Sequence, residues 1–345
     1  MKINRRRGKP GSAVFRDLCL RDGKIMNMHN SQNYSKAFKA GLISGNLEGL
    51  RGAPKSDLHC HSLLSTSLQS VQKWAGATIR EAPARMSNFN DMRRYLHETL
   101  YPHIYHRKGF EFTAESSILE AIQDGVNVLE MSLDVNFMGL YGPKEIDFID
   151  FVQRLAQKYS ESIEFRPELG LSKNRPPADQ IPLAMVCIDS NCFESIDLYG
   201  NEEAQPPESY RNLYKHAAAR GLKLKAHVGE FGSADLVEKT LKALNLQEIQ
   251  HGIAVVASAP LMRQTRNEQI RLNVCPSSNV ALSVVEDLAH HPIRELIQNG
   301  IRVSINSDDK TVFGRSVSEE YLGLYQSGVA TAEELDVIRL DSLET

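Results

Sequence analysis

Eight short apolar segments, each preceded by a helix-like stretch, constrain this chain more than any other feature. They run over Ser56–His61, Asn127–Ser132, Ile163–Leu169, Phe193–Tyr199, Leu222–His227, Glu248–His251, Ile270–Cys275 and Ile301–Asn306. Runs of four to seven residues, alternating with amphipathic stretches such as Asp147–Tyr159 and Tyr210–Arg220, predict parallel strands covered by helices. Eight such units predict an α/β fold, the (β/α)8 or TIM barrel, whose chemistry sits at the C-terminal ends of its strands.

Polar residues gather at those ends. The first segment, Ser56-Asp57-Leu58-His59-Cys60-His61, alternates apolar and polar, so as a strand it sends both imidazoles out of one face. Such a pair serves either as metal ligands or as a satisfied core pair. Gly200-Asn201-Glu202 follows the fourth segment, His227-Val228-Gly229-Glu230 ends the fifth, and His251-Gly252 ends the sixth. Cys275-Pro276-Ser277-Ser278-Asn279 ends the seventh and Ser307-Asp308-Asp309 the eighth. Motifs converging on one rim leave unpaired charge unless a metal or ligand uses it. His59, His61, His227 and Asp308 form an N3O set suited to zinc, with room for a water.

The chain has 345 residues, 41% of them hydrophobic, and a formal net charge of −3, enough for one barrel-sized domain or two smaller ones. We read residues 1–33 as a basic, flexible arm and 34–345 as a single barrel domain. The arm carries Arg5, Arg6, Arg7 and Lys9 without interleaved aromatics, which speaks against nucleic-acid binding. No apolar run approaches the roughly 18 residues of a membrane span, and no secretory signal is seen, so a cytoplasmic location is expected. The five cysteines are odd in number and scattered without a CxxC pair, so neither a thiolate zinc site nor a disulfide framework is suggested. A helix is expected over Tyr34–Leu50. Extra helices inserted after the first strand, Leu68–Gln123, are expected over the barrel mouth as a lid, with Trp74, Met92, Tyr95, Leu96 and Leu100 buried and His97, His103 and His106 structural or on the surface.

Taken in order, these motifs resemble the adenosine deaminase family of the metal-dependent amidohydrolases. The resemblance rests on Pro54–His61, Ile196–Glu202, His227–Glu230, His251-Gly252, Cys275–Asn279 and Ser304–Asp309, and it extends from about Tyr34 to Leu335. It implies zinc-dependent hydrolytic deamination of an adenosine-like aminopurine, by hydroxide attack at C6, to the 6-oxo product and ammonia. One zinc per chain would be held by His59, His61, His227 and Asp308. His251 would orient and deprotonate the attacking water, Glu230 would supply the N1 proton, Asp309 would face N7, and the Gly200 N–H would reach N3.

Three departures bear on the substrate and the packing. The family usually continues the first motif with an Asp that contacts the sugar hydroxyl, and Leu63 stands in its place, so an aminopurine modified on its 5′ side is expected over plain adenosine. Lys310 replaces a proline that often follows the Asp pair and adds a positive charge near the mouth. The family commonly carries more helix after the last motif. The competing readings are a catalytically silent nucleoside-binding paralogue and a metallophosphoesterase, whose first motif Asp57–Ser62 also fits. Oligomeric state leaves no mark in the sequence.

Overall fold

The computed structural model describes residues 32–142 and 145–344, so residues 1–31 of the expected arm lie outside the described residues. Helices at 32–44 and Leu47–Arg51 lead into the barrel, the second capped by Asn46, whose side chain accepts the Glu48 N–H at 3.1 Å. Phe38, Leu42 and Leu50 are buried along this segment, as its helical spacing requires.

All eight expected strands form. They are β1 (Lys55–His61), β2 (Val126–Asp134), β3 (Glu164–Ser172), β4 (Ser195–Tyr199), β5 (Lys223–Val228), β6 (Glu248–His251), β7 (Arg271–Val274) and β8 (Val303–Ile305). They pair in parallel in the order β1 to β8, making an eight-stranded (β/α)8 barrel. Closure between β8 and β1 relies partly on a side chain: Asn306 Oδ1 accepts the Leu58 N–H at 2.8 Å, and the Asp308 N–H reaches the His59 carbonyl at 3.0 Å. These contacts pin the last strand end directly beneath the first.

Register then decides which residues meet. β5 and β6 pair His227 with Gln250 and Val228 with His251, and a slip of one residue would turn the inward set outward. β2 and β3 run longer than their apolar cores suggested, ending at Asp134 and Ser172.

The insertion after β1 folds into short helices, among them Phe89–Tyr95 and Tyr101–Ile104 joined by a π-helical turn at Leu96–Leu100, and ends in the long helix Arg107–Gln123. Met92, Tyr95, Leu96 and Leu100 are buried, but Trp74 is 38% exposed. It stacks on Phe112 at 4.8 Å on the outer side of the long helix, where its spacing within Leu68–Ala75 carries it away from the core. Lys310 also departs from expectation. Its Nζ lies 2.6 Å from Glu120 Oε2, so its charge ties β8's loop to the long helix and is not offered to the mouth. Burial pushes the Glu120 carboxyl up, but Lys310 and the Ser67 and Ser70 donors outweigh it and hold it at about 2.

Among the described residues, no helix is long and apolar enough to cross a membrane.

Candidate active site

The C-terminal ends of the strands surround a cavity of about 690 Å³, within the range usual for small-molecule sites. His61, Leu63, Gly200, His227, Glu230, His251, Asp308 and Asp309 line it, and His59 lies fully buried just behind. The structure thus brings together all nine residues singled out from the sequence. Phe89, Met92, Arg93, Leu96, His97, Tyr101 and Tyr105 form the opposite wall, which places the insertion over the mouth as expected. His97 therefore faces the cavity, whereas His106 caps the long helix by accepting the Gly109 N–H at 3.2 Å.

At the floor, His59 Nε2 and His227 Nε2 are 3.0 Å apart. Their other ring nitrogens fix the tautomers. His59 Nδ1 lies 3.1 Å from the Asn273 carbonyl and His227 Nδ1 lies 3.1 Å from Asp197 Oδ1, and both partners can only accept. Each Nδ1 therefore carries its ring's proton, and the facing Nε2 atoms present two lone pairs to each other. No hydrogen bond joins them; a cation between them would. Outer acceptors of this kind also orient metal-binding imidazoles.

The rest of the donor set agrees. Asp308 Oδ1 sits 3.6 Å from His61 Nε2 and 3.8 Å from His59 Nε2. Burial, reinforced by neighbouring charges, pushes His61 and His227 down to about 3 and His59 well below its usual value, so all three are neutral and able to coordinate. Cys275, also beside His59, is a poor ligand, because burial pushes its thiol well up. Two non-glycine residues hold left-handed backbone here, His251 at φ 62° and Asp308 at φ 55°, local strain that the strand ends impose on these side chains.

A hydrogen-bond chain orders the second half of the site. The Ile293 N–H donates to His291 Nδ1 at 3.0 Å, so His291 Nε2–H donates to Asn279 Oδ1 at 3.1 Å. The Asn279 amide nitrogen must then face Glu230 Oε1 and His251 Nδ1, both at 3.3 Å. This leaves neutral His251 protonated on Nε2, 3.5 Å from Glu230 Oε2 and 3.8 Å from Asp308 Oδ2. Burial, with Asp308 next, pushes the Glu230 carboxyl well above its ordinary range, which favours its protonated form. Asp309 is likewise raised by burial and by Asp308, and its Oδ1 is buried without a hydrogen-bond partner among the described residues. Gly200, at φ 96°, closes on Asn174, whose Nδ2 would lie 2.7 Å from an added Cβ.

Several contributors were not singled out from the sequence. Asp134 and Tyr199 are hydrogen-bonded to each other on the cavity wall, and Asp197, His291 and Lys173 act from behind it. The strand expected over Asn127–Ser132 stopped two residues short of Asp134, and His291 sits in a loop with no pattern to mark it.

Comparison with known proteins bears on the family and the fold. The family model described as adenosine deaminase matches residues 77–345. A putative adenosine/adenine deaminase from Treponema pallidum is 34% identical over 296 residues, covering 85% of this chain and 99% of that protein. The crystal structure of an adenine deaminase from Arthrobacter aurescens superimposes with a TM-score of 0.71 at 21% identity, covering 84% of this chain and 93% of that one. An amidohydrolase from Burkholderia ambifaria with bound Zn gives a TM-score of 0.67 at 19% identity, covering 87% of each chain. These two structures support the fold. The matched span of the family model begins after His61, so the first histidine pair stands on geometry.

Proposed function

Because the chain belongs to the adenosine deaminase family, we propose that it hydrolyses the 6-amino group of an adenosine-like aminopurine, giving the 6-oxo product and ammonia, with one zinc ion per chain. The observation that carries this reading is the pair of unprotonated Nε2 atoms of His59 and His227 facing each other at 3.0 Å. His59, His61, His227 and Asp308 would hold the ion. Zinc bound there supplies a water acidic enough to give hydroxide near neutral pH.

The side chains divide the remaining work. His251, protonated on Nε2, donates to the attacking oxygen and orients it, a narrower role than orienting and deprotonating it. The proton passes to Asp308, the carboxylate next to both His251 and the ligands. Glu230, neutral because buried, donates its proton to N1 as the C6–O bond forms, so negative charge does not build on the ring. Protonated Asp309 donates to N7, and the Gly200 N–H donates to N3. The proton on Asp308 then reaches the amino group, the C6–N bond breaks and ammonia leaves, and the C6 hydroxyl gives its proton back to the Glu230 carboxylate as the 6-oxo group forms.

Leu63, Leu64, Phe89, Met92, Leu96 and Phe313 give the cavity an apolar part to its lining. Leu63 stands where a sugar hydroxyl would need an acceptor, which favours adenine or a 5′-modified derivative over plain adenosine. A second reading, a substrate carrying an anionic substituent, is favoured by Arg93 and Arg175, which line the cavity and have no carboxylate within ion-pair distance among the described residues. The zinc-loaded protein should release ammonia from at least one of adenine, adenosine, a 5′-modified adenosine and adenosine monophosphate. Glu230→Gln should keep its metal and lose on the order of 10²–10⁴-fold in rate. Purine binding without ammonia release from any member would instead identify a silent paralogue, and phosphate release would identify a phosphoesterase.

A further inference from the structure

Glu202 is buried, 3% exposed, and has no part in the chemistry just described. It lies two residues past Gly200, yet its carboxylate belongs to the next loop. Oε2 accepts the Gly229 N–H at 2.6 Å, while Oε1 accepts the Glu230 and Phe231 N–H groups, both at 2.9 Å. Three consecutive amides of the loop after β5 converge on one anion, the strong form of a backbone hydrogen bond. The Glu202 carbonyl in turn accepts from Nζ of buried Lys173 at 3.1 Å, and the Lys173 N–H donates to the Tyr199 carbonyl at 2.7 Å. Loops after β3, β4 and β5 are thereby joined through one residue. The fit is close: a Cβ on Gly232 would lie 2.6 Å from Glu202 Oε2.

We propose that Glu202 is a positioning residue that fixes Glu230 relative to Gly200, so that the contacts to N1 and N3 of the purine act as one. N1 and N3 flank a single carbon of the same ring, and groups reading them must keep a fixed separation. Gly200 and Glu230 lie on different loops, and this carboxylate links the two beyond the strand ends. A glutamine at 202 offers one acceptor and one donor, so at least one of the three amides faces an N–H and the loop shifts. A displacement on the order of 1 Å at a reacting group can cost about 10²-fold in rate.

This inference rests on the reading above that Glu230 and Gly200 face N1 and N3. The test compares adenine with 3-deazaadenine, which lacks the N3 acceptor, in the wild type and in Glu202→Gln and Glu202→Asp, with metal content measured throughout. The wild type should strongly prefer adenine. Glu202→Gln should keep its metal, lose about 10²-fold in kcat on adenine with a smaller change in KM, and show an adenine preference collapsed towards one. Glu202→Asp keeps the charge and should recover part of both. A role confined to folding would lower the melting temperature and leave the preference untouched, and an unchanged preference in Glu202→Gln overturns the proposal. Amide hydrogen exchange separates this from failure of the functional reading. The Gly229, Glu230 and Phe231 amides should be protected in the wild type and exchange faster in Glu202→Gln whichever purine is turned over, and unprotected wild-type amides would equally overturn it.

Discussion

Lys225 and His227 stand two residues apart on β5, and the buried charges around them are balanced in opposite ways. Around Lys225 every charge has a partner. Its Nζ is bonded to Glu130 and lies 2.8 Å from Glu168 Oε2 and 3.5 Å from Glu248 Oε2. Arg166 and Lys223 add contacts to Glu130 and Glu248, each at 3.0 Å. Burial pushes Glu130 and Glu248 up, yet Lys225 outweighs it and both carboxyls end below their ordinary range, whereas burial prevails at Glu168 and raises it to about 7. Around the inner face of His227 the carboxyls have no such balance. Asp308, Asp309 and Glu230 are all raised by burial, the imidazoles are all lowered, and no Lys or Arg lies within ion-pair distance of the three carboxyls among the described residues. A compensated cluster fastens strands together; an uncompensated one is complete only with a ligand.

The largest expected effect comes from breaking the upper cluster. Asp308→Ala should lose on the order of 10⁴-fold in ammonia release, because one residue serves as ligand and base. Its metal-free melting temperature should match or exceed that of the metal-free wild type, since a buried carboxyl without a counter-charge is gone. Chelation should lower the wild-type melting temperature and barely move the variant's. If metal-free Asp308→Ala melts well below metal-free wild type, the upper cluster is self-sufficient and the contrast with Lys225 fails.

Breaking the lower cluster should do the reverse. Lys225→Met leaves three buried carboxylates without their shared cation and should cost about 3–5 kcal/mol of stability. The pH dependence has a definite sign. Folded-state values of Glu130 and Glu248 lie below the unfolded value of about 4.3, so their contribution is present above that pH and lost as pH falls through the folded values. The deficit of Lys225→Met should therefore be largest near neutrality and shrink on acidification below about pH 4. Denaturant unfolding at several pH values measures it, and a deficit that grows in acid contradicts the assignment.

The two clusters also differ in how legible they were. The upper one could be read because parallel strands carry apolar runs that end abruptly, so His227, His251 and Asp308 stood at the ends of recognisable segments. The lower one could not. Glu130, Glu168 and Lys225 are charges inside such runs, on β2, β3 and β5, and they meet only across the interior of the closed barrel. Asn279 was visible within a motif, but its amide orientation is set by His291 and the Ile293 amide, twelve or more residues further on. Trp74 was misjudged because helical spacing identifies a stripe without saying which stripe faces inward; its partner Phe112 lies on a helix far along the chain.

The smallest effect tests the comparison from the other side, by adding a charge to the uncompensated cluster. Leu63 is 4% exposed and lines the cavity with His61 and with Asp309, whose carboxyl is already raised by burial and by Asp308, so a carboxylate there enters the uncompensated cluster. Two costs follow: lost apolar burial, about 1.5–3 kcal/mol for a leucine side chain, and desolvation of a new anion, which its own protonation would relieve. Against them stands the hydrogen bond a sugar hydroxyl would make, and a substrate without a sugar cannot make it. Leu63→Asp should therefore raise the kcat/KM ratio of adenosine to adenine by about tenfold, roughly 1.4 kcal/mol, even if both absolute values fall. The ratio cancels any general damage to the metal site, because both substrates meet the same residues at C6. An unchanged ratio would mean that the sugar never reaches Leu63, and the apolar wall would then have to be assigned to closing the insertion over the mouth.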